Sequence, residues 1–352
     1  MPVAIVNGVR LNYVQMGEGE DDGREDLVMV HGLATNLAFW YFRYAAEFAA
    51  KYRVTLFDLR GHGRSEMPAA GYAPATLAAD LAGLLDHLGI ESAHFLAHSF
   101  GGVVTMNFAA EHPQRVRSLV LADSHISAVR HVETPQEWVY GQGIQPLLDR
   151  HGLELDTRDP YFGYKLLSRL AQWQTRGLTV PAELAELVSP LMGKTGTRTA
   201  AQWLKLMETT SAEAEMMGDD GLSFERLRAF RFPILALYGD HSQARLTGAE
   251  LLALWPHAEF RRVRDAGHFF PTSRPDEVIS GCKRFWDGEF ATTARRRRAG
   301  DTGQNFFRSD RVFAVDGDWY FTTREKNRVG PFAGREEAHR EFSSLIAAGP
   351  SV

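Results

Sequence analysis

Up to about residue 125 the chain alternates short apolar runs with longer amphipathic segments. The runs 27–32 (LVMVHG), 53–61 (RVTLFDLRG), 92–99 (SAHFLAHS) and 116–124 (VRSLVLADS) place apolar residues consecutively instead of at every second position. That pattern predicts strands buried on both faces. Helical patterns lie between them at about 37–50, 76–88 and 100–112, the last ended by the loop EHPQRV. Strands alternating with helices predict an α/β fold, a mostly parallel sheet flanked by helices on both faces.

The alternation stops between about 126 and 225. This stretch is rich in helix formers and large apolar residues, among them Trp138, Tyr140, Phe162, Tyr164, Trp173, Met192, Trp203, Met207, Met216 and Met217. It predicts a helical insertion that caps the sheet. The strand pattern resumes at 232–240 (FPILALYGD) and 258–268 (AEFRRVRDAGH), with helices at about 245–254 and 275–287.

A boundary follows near residue 290. Segment 291–304 (ATTARRRRAGDTGQ) has no core pattern and carries Arg295 to Arg298 in a row, the composition of a solvated, mobile linker. Residues 305–352 then predict a small antiparallel sheet and one helix. Two β-rich runs flank Asp316-Gly317, a turn pair, Gly330-Pro331 supplies another turn, and REEAHREFSSLI has helical spacing. So small a unit needs Trp319, Tyr320 and Phe321 for its own core; its expected role is to dock on the larger domain or recruit a protein partner.

Charge and cysteine content narrow the class. The formal charge is -5, with 44% hydrophobic and 24% charged residues. The alternative reading of Arg295 to Arg298 is a local contact with nucleic acid or acidic lipid, for which four arginines without an aromatic companion are weak evidence. The lone Cys282 cannot form an intrachain disulfide, the N-terminus has no basic signal region, and no apolar run of about 18 residues exists. The expected location is the cytoplasm.

The candidate chemistry begins at HFLAHSFGGVV, 94–104. Ser99 falls where a buried strand meets a helix, and a tight turn there pushes its hydroxyl out at the carboxyl end of the sheet. Ala97, Gly101 and Gly102 are small enough for strand and helix to meet closely. The Phe100 N–H, at the helix start, can hold an oxyanion, and the Leu33 N–H after His31-Gly32 is the candidate second donor. A serine hydroxyl needs a base, and the base an orienting acid. DAGHFF places His268 after one later strand and YGDHS places Asp240 after another. Chain order and strand placement favour Asp240 as the acid; Asp123, which also ends a strand, is the alternative. His31, Phe39, Trp40 and His98 are candidate pocket residues. His94 and His98 are four apart, but they lie on a strand without a carboxylate third ligand, so no metal site is expected.

Together these features resemble the α/β-hydrolase family over residues 3–290. The elbow G-x-S-x-G is written here as AHSFG, with Ala97 at its first position. DLRGHGRS (58–65) resembles the family's D-x-R-G-x-G-x-S loop, read here as structural. The resemblance implies a catalytic domain over 1–290, a cofactor-free Ser-His-Asp hydrolase acting through an acyl-enzyme, and an ester or thioester of a small, partly apolar substrate. Carbon–carbon or amide bond hydrolysis stays open, as does a non-catalytic member that binds a ligand or partner. Relatives with an aspartate nucleophile, such as epoxide hydrolases, are disfavoured by the serine. The tail resembles a small uncharacterised bacterial module through WYFTTRE and GPF.

Overall fold

The computed structural model describes residues 2–17, 23–130, 139–185, 187, 196–288, 312–315, 318–322 and 328–332. The chain divides into two compact units, Met1–Lys283 and Arg284–Val352. The first is built on an eight-stranded sheet: β1 (Val3–Val6), β2 (Val9–Met16), β3 (Asp26–Val30), β4 (Arg53–Phe57), β5 (Ala93–His98), β6 (Val116–Ala122), β7 (Ile234–Gly239) and β8 (Glu259–Val263). Their spatial order is β1-β2-β4-β3-β5-β6-β7-β8. β1 and β2 pair antiparallel, as do β2 and β4; every other pairing is parallel.

The consecutive apolar runs are strands covered on both faces. Leu27, Val28, Met29 and Val30 are each 0% exposed, so alternation would leave half of them in the wrong medium. The hairpin of β1 and β2 lies outside the expected strands. Its turn is Asn7-Gly8, with φ of 49° and 76°, the left-handed pair that a two-residue hairpin turn requires. That dipeptide was the available signal.

Among the described residues, the chain between β6 and β7 contains helices and no strand, including Val139–Arg150, Phe162–Thr175 and Gly196–Thr209. Phe162, Trp203, Met207 and Met216 are buried, as a helical core demands, whereas Tyr140 is exposed. Trp138 and Met192 lie outside the described residues. Two polar clusters anchor the insertion. Asp220 accepts the Ser127 N–H at 2.6 Å and the Ser127 hydroxyl at 2.9 Å, joining its two ends. The Glu215 carboxylate accepts N–H groups of Gly71, Tyr72 and Ala73, just before the helix Pro74–His87, whose unpaired N-terminal donors favour a negative charge.

The helix Phe100–Glu111 departs from the amphipathic expectation. Phe100 to Ala109 are all buried, because the helix sits between the sheet, the helix Pro74–His87 and the insertion.

In the second unit, β9 (Val312–Val315) and β10 (Asp318–Thr322) pair antiparallel on either side of positions 316 and 317, with Val315 opposite Asp318. A third strand, β11 (Arg328–Phe332), pairs with β10. Gly330-Pro331, expected as a turn, lies inside β11. The strand is at the sheet edge, and its pairing with β10 shifts register opposite this dipeptide, between Trp319 and Phe321, the kind of place where a sheet tolerates proline. The expected linker 291–304 and tail helix lie outside the described residues.

Candidate active site

Ser99 follows the last residue of β5 and precedes the helix Phe100–Glu111. Its φ and ψ are 55° and -125°, a strained conformation for a residue with a Cβ. Two backbone hydrogen bonds hold it there: Ser99 N–H donates to the Ala122 carbonyl and Gly102 N–H to the Ser99 carbonyl, each at 2.9 Å. The small residues behind the turn are sterically required. A Cβ on Gly101 would lie 2.4 Å from the His31 carbonyl oxygen, and one on Gly102 would lie 1.8 Å from Ser124 Oγ.

His268 reaches Ser99 from the loop after β8. Its Nε2 is 2.9 Å from Ser99 Oγ, and its Nδ1 is 2.6 Å from Asp123 Oδ2. A carboxylate only accepts, so Nδ1 carries the proton and Nε2 is left to accept from the Ser99 hydroxyl. The carboxylate that meets His268 is therefore Asp123, and the expectation of Asp240 is corrected. Asp240 is turned aside: its Oδ1 accepts the Ala266 N–H at 3.1 Å. Asp123 has φ of 56°, which swings its side chain inward, where it is 0% exposed. Such a burial of charge requires donors, and the chain supplies them from the last residue of β7 and the turn after it. Gly239 N–H donates to Oδ1 at 2.9 Å, and the Ser242 hydroxyl donates to Oδ2. Both belong to YGDHS, where sequence reasoning singled out only the aspartate.

The HG loop packs on the elbow, since a Cβ on Gly32 would lie 2.9 Å from Ser99 Cβ. Of the four candidate pocket residues, His31, Trp40 and His98 are 0% exposed and line no open surface. His31 is a brace: Nε2 accepts the Leu59 N–H at 3.1 Å, and Nδ1 lies 2.7 Å from the Gly32 carbonyl. His98 Nε2 donates to the His268 carbonyl at 3.0 Å, so it holds the backbone of the loop that carries the imidazole. Phe39, partly buried, stacks on the His98 ring with centroids 4.8 Å apart. His94 bonds Ser118 at 2.7 Å and Glu25 at 3.1 Å, apart from this site. Asp58 of DLRGHGRS accepts from Leu37 N–H at 2.7 Å, Asn12 at 2.7 Å and Arg64 N–H at 2.8 Å, which ties the segment after the HG loop to β2. Asp240, His241 and Asp265 bring ligand-type atoms within 4.8 Å of one another at a partly exposed rim.

Three buried histidines near the elbow set an expected pH dependence. Burial pushes His31 and His62 down to about 4, with His31 adding to the effect on His62. Burial, and then the neighbouring His268, hold His98 well below the usual range. The unfolded chain binds these protons near pH 6.5 and the folded chain does not. Their contribution to stability is thus intact above pH 6.5 and lost as the pH falls toward 4, by about 1.4 kcal/mol per pH unit for each proton. Urea midpoints measured from pH 7.5 to 4.5 should drop below pH 6.5, and less steeply in His62→Gln. A flat midpoint across that window would contradict this.

The family model described as alpha/beta hydrolase fold matches residues 27–275, and a domain of unknown function, DUF6316, matches 297–348. The dihydrolipoyllysine-residue acetyltransferase component of an acetoin cleaving system from Cupriavidus necator is 38% identical over 118 residues, which cover 34% of this chain and 30% of that protein. A 3-oxoadipate enol-lactonase from Acinetobacter baylyi is 33% identical over 141 residues, 40% of this chain and 51% of that enzyme. The chain thus matches about a third to a half of the length of these curated relatives. The solved structure of Est816, described as an N-acyl homoserine lactone degrading enzyme, superposes with a TM-score of 0.58 at 27% identity. That match covers 81% of this chain and all (100%) of the other. Among the described residues no helix is long and apolar enough to cross a membrane.

Proposed function

Since the chain belongs to the alpha/beta hydrolase fold family, we propose that it is a serine hydrolase cleaving a carboxylic ester or thioester of a small, partly apolar substrate. One observation carries this: the unbroken relay from Ser99 Oγ to His268 Nε2 at 2.9 Å, and from His268 Nδ1 to Asp123 Oδ2 at 2.6 Å. Relatives that act on lactones, which are cyclic esters, support the same class.

In this mechanism Ser99 Oγ attacks the carbonyl carbon while His268 Nε2 takes its proton. The buried Asp123 carboxylate, anionic beside Nδ1–H, stabilises the imidazolium that forms. The carbonyl oxygen, now anionic, is held by Phe100 N–H at the helix start and Leu33 N–H beside the elbow. As the tetrahedral adduct collapses, the alcohol or thiol leaves with the proton from Nε2. Water then attacks the acyl-enzyme, gives a proton to Nε2, and the second collapse returns that proton to Ser99 as the acid departs. Every step balances with groups this chain and water supply. Phe39, partly buried against His98, is the candidate that faces the acyl group. The catalytic groups all fall within Met1–Lys283, which leaves the C-terminal module to docking or partner recruitment.

The test is active-site labelling. A fluorophosphonate should phosphonylate the chain once, on the peptide that contains Ser99, and Ser99→Ala should stay unlabelled. Absence of label, or a label on another serine, sinks the proposal. Turnover of p-nitrophenyl esters against acyl thioesters of matched chain length then separates the two substrate classes.

A further inference from the structure

Asp123 directly follows β6, yet its support comes from the last residue of β7 and the turn after it. The Asp123 carboxylate is wholly buried, and three donors meet it. Oδ1 takes the Gly239 N–H at 2.9 Å. Oδ2 takes both His268 Nδ1–H at 2.6 Å and the Ser242 hydroxyl. Ser242 is itself 4% exposed, so water does not compete for its proton. The hydroxyl's direction is also determined. Ser242 Oγ accepts the Ala244 N–H at 3.1 Å, which occupies a lone pair and leaves the proton for the carboxylate. The backbone on both sides is held: Ser242 N–H donates to the Gly239 carbonyl at 3.1 Å, and the Tyr238 hydroxyl donates to the Ser124 carbonyl at 2.9 Å.

We propose that Ser242 is a positioning residue for the reaction, extending the relay to Ser99–His268–Asp123–Ser242. The assignment rests on the serine-hydrolase reading of the site. Ser242 touches neither the substrate nor Ser99. It acts through Asp123 by keeping Oδ2 on the line of the His268 Nδ1–H bond. Oδ2 accepts from both donors, so a rotation of the carboxylate away from His268 would also break the Ser242 bond. A carboxylate held only by Gly239 N–H could pivot about its Cβ–Cγ bond, and the imidazole would pivot with it. A small displacement of a general base costs rate out of proportion to the stability it costs. Charge-assisted hydrogen bonds in a dry site are strong enough to make that constraint effective. On this view the turn after β7 contributes a brace in place of an acid.

The experiment compares Ser242→Ala and Ser242→Thr, each alone and combined with Asp123→Asn, in the full chain. Three quantities are read: the rate of Ser99 phosphonylation by a fluorophosphonate, kcat and KM for p-nitrophenyl acetate, and the melting temperature. In Ser242→Ala, kcat and the labelling rate should fall about tenfold, the scale of one charge-assisted hydrogen bond, with KM nearly unchanged. Ser242→Thr keeps the hydroxyl and should recover most of the loss. In the Asp123→Asn background, Ser242→Ala should cost nothing further, because the partner through which it acts is gone. A Ser242→Ala chain as fast as the parent overturns the assignment. So does an equal loss in the Asp123→Asn background, which would report general damage to the turn. An unmodified chain that takes no label on Ser99 overturns the serine-hydrolase reading itself. A labelled parent with an unaffected Ser242→Ala removes only Ser242.

Discussion

Asp123→Asn should lower kcat on a p-nitrophenyl ester by about three to four orders of magnitude, the scale seen when the acid of a Ser-His-Asp triad is made an amide. Asp240→Asn should leave it within about threefold. The difference follows from what each carboxylate holds. Asp123 accepts His268 Nδ1–H and so keeps the unprotonated Nε2 toward Ser99. An asparagine there can present its NH₂ to Nδ1, which favours the opposite tautomer and points an N–H at the serine it should deprotonate. Asp240 accepts the Ala266 N–H, a bond the asparagine carbonyl reproduces, and lies 3.8 Å from His241 Nε2 instead of meeting His268. Steady-state kinetics on the two variants, with melting curves to show both are folded, give the answer. If Asp240→Asn is the crippled enzyme and Asp123→Asn the competent one, the acid has been assigned to the wrong strand.

Gly101→Ala should destabilise the fold by about 3 kcal/mol or more, or prevent folded protein from accumulating. The added Cβ meets backbone instead of a side chain that could step aside: the His31 carbonyl oxygen at 2.4 Å and the Val30 carbonyl oxygen at 2.6 Å. Relief requires moving the end of β3 and the HG loop away from the elbow, so the folded fraction should also hydrolyse esters poorly. Gly143→Ala is the matched control. It lies in the helix Val139–Arg150 with nothing within 4 Å of the new Cβ. There the substitution should be neutral or raise stability by up to about 1 kcal/mol, by helix propensity. Thermal melting of the two variants beside the parent checks both. A Gly101→Ala chain that melts with the parent would mean that strand and helix are less tightly apposed than the structure has them.

The strand runs around 27–32, 92–99 and 116–124, the helix starting at Phe100 and the described helices before β7 were legible because each is a local pattern: apolar periodicity, small residues at a turn, helix formers without strand formers. The hairpin at Asn7-Gly8 was equally legible, and its short apolar run hid it. Ser99 and His268 could be located for the same reason, since each follows a strand in a recognisable turn. The carboxylate that meets His268 could not be chosen that way. Asp123 and Asp240 both follow adjacent parallel strands, and nothing local distinguishes them. The choice depends on the inward turn at φ 56° and on donors from Gly239 and Ser242, 116 and 119 positions along the chain. His31 and His98 likewise became braces, and Trp40 a buried ring, instead of pocket walls through burial by distant elements. Periodicity and turn chemistry are properties of neighbours in the sequence. Which of two buried charges is satisfied is a property of neighbours in space, and it exists only after the sheet has closed around them.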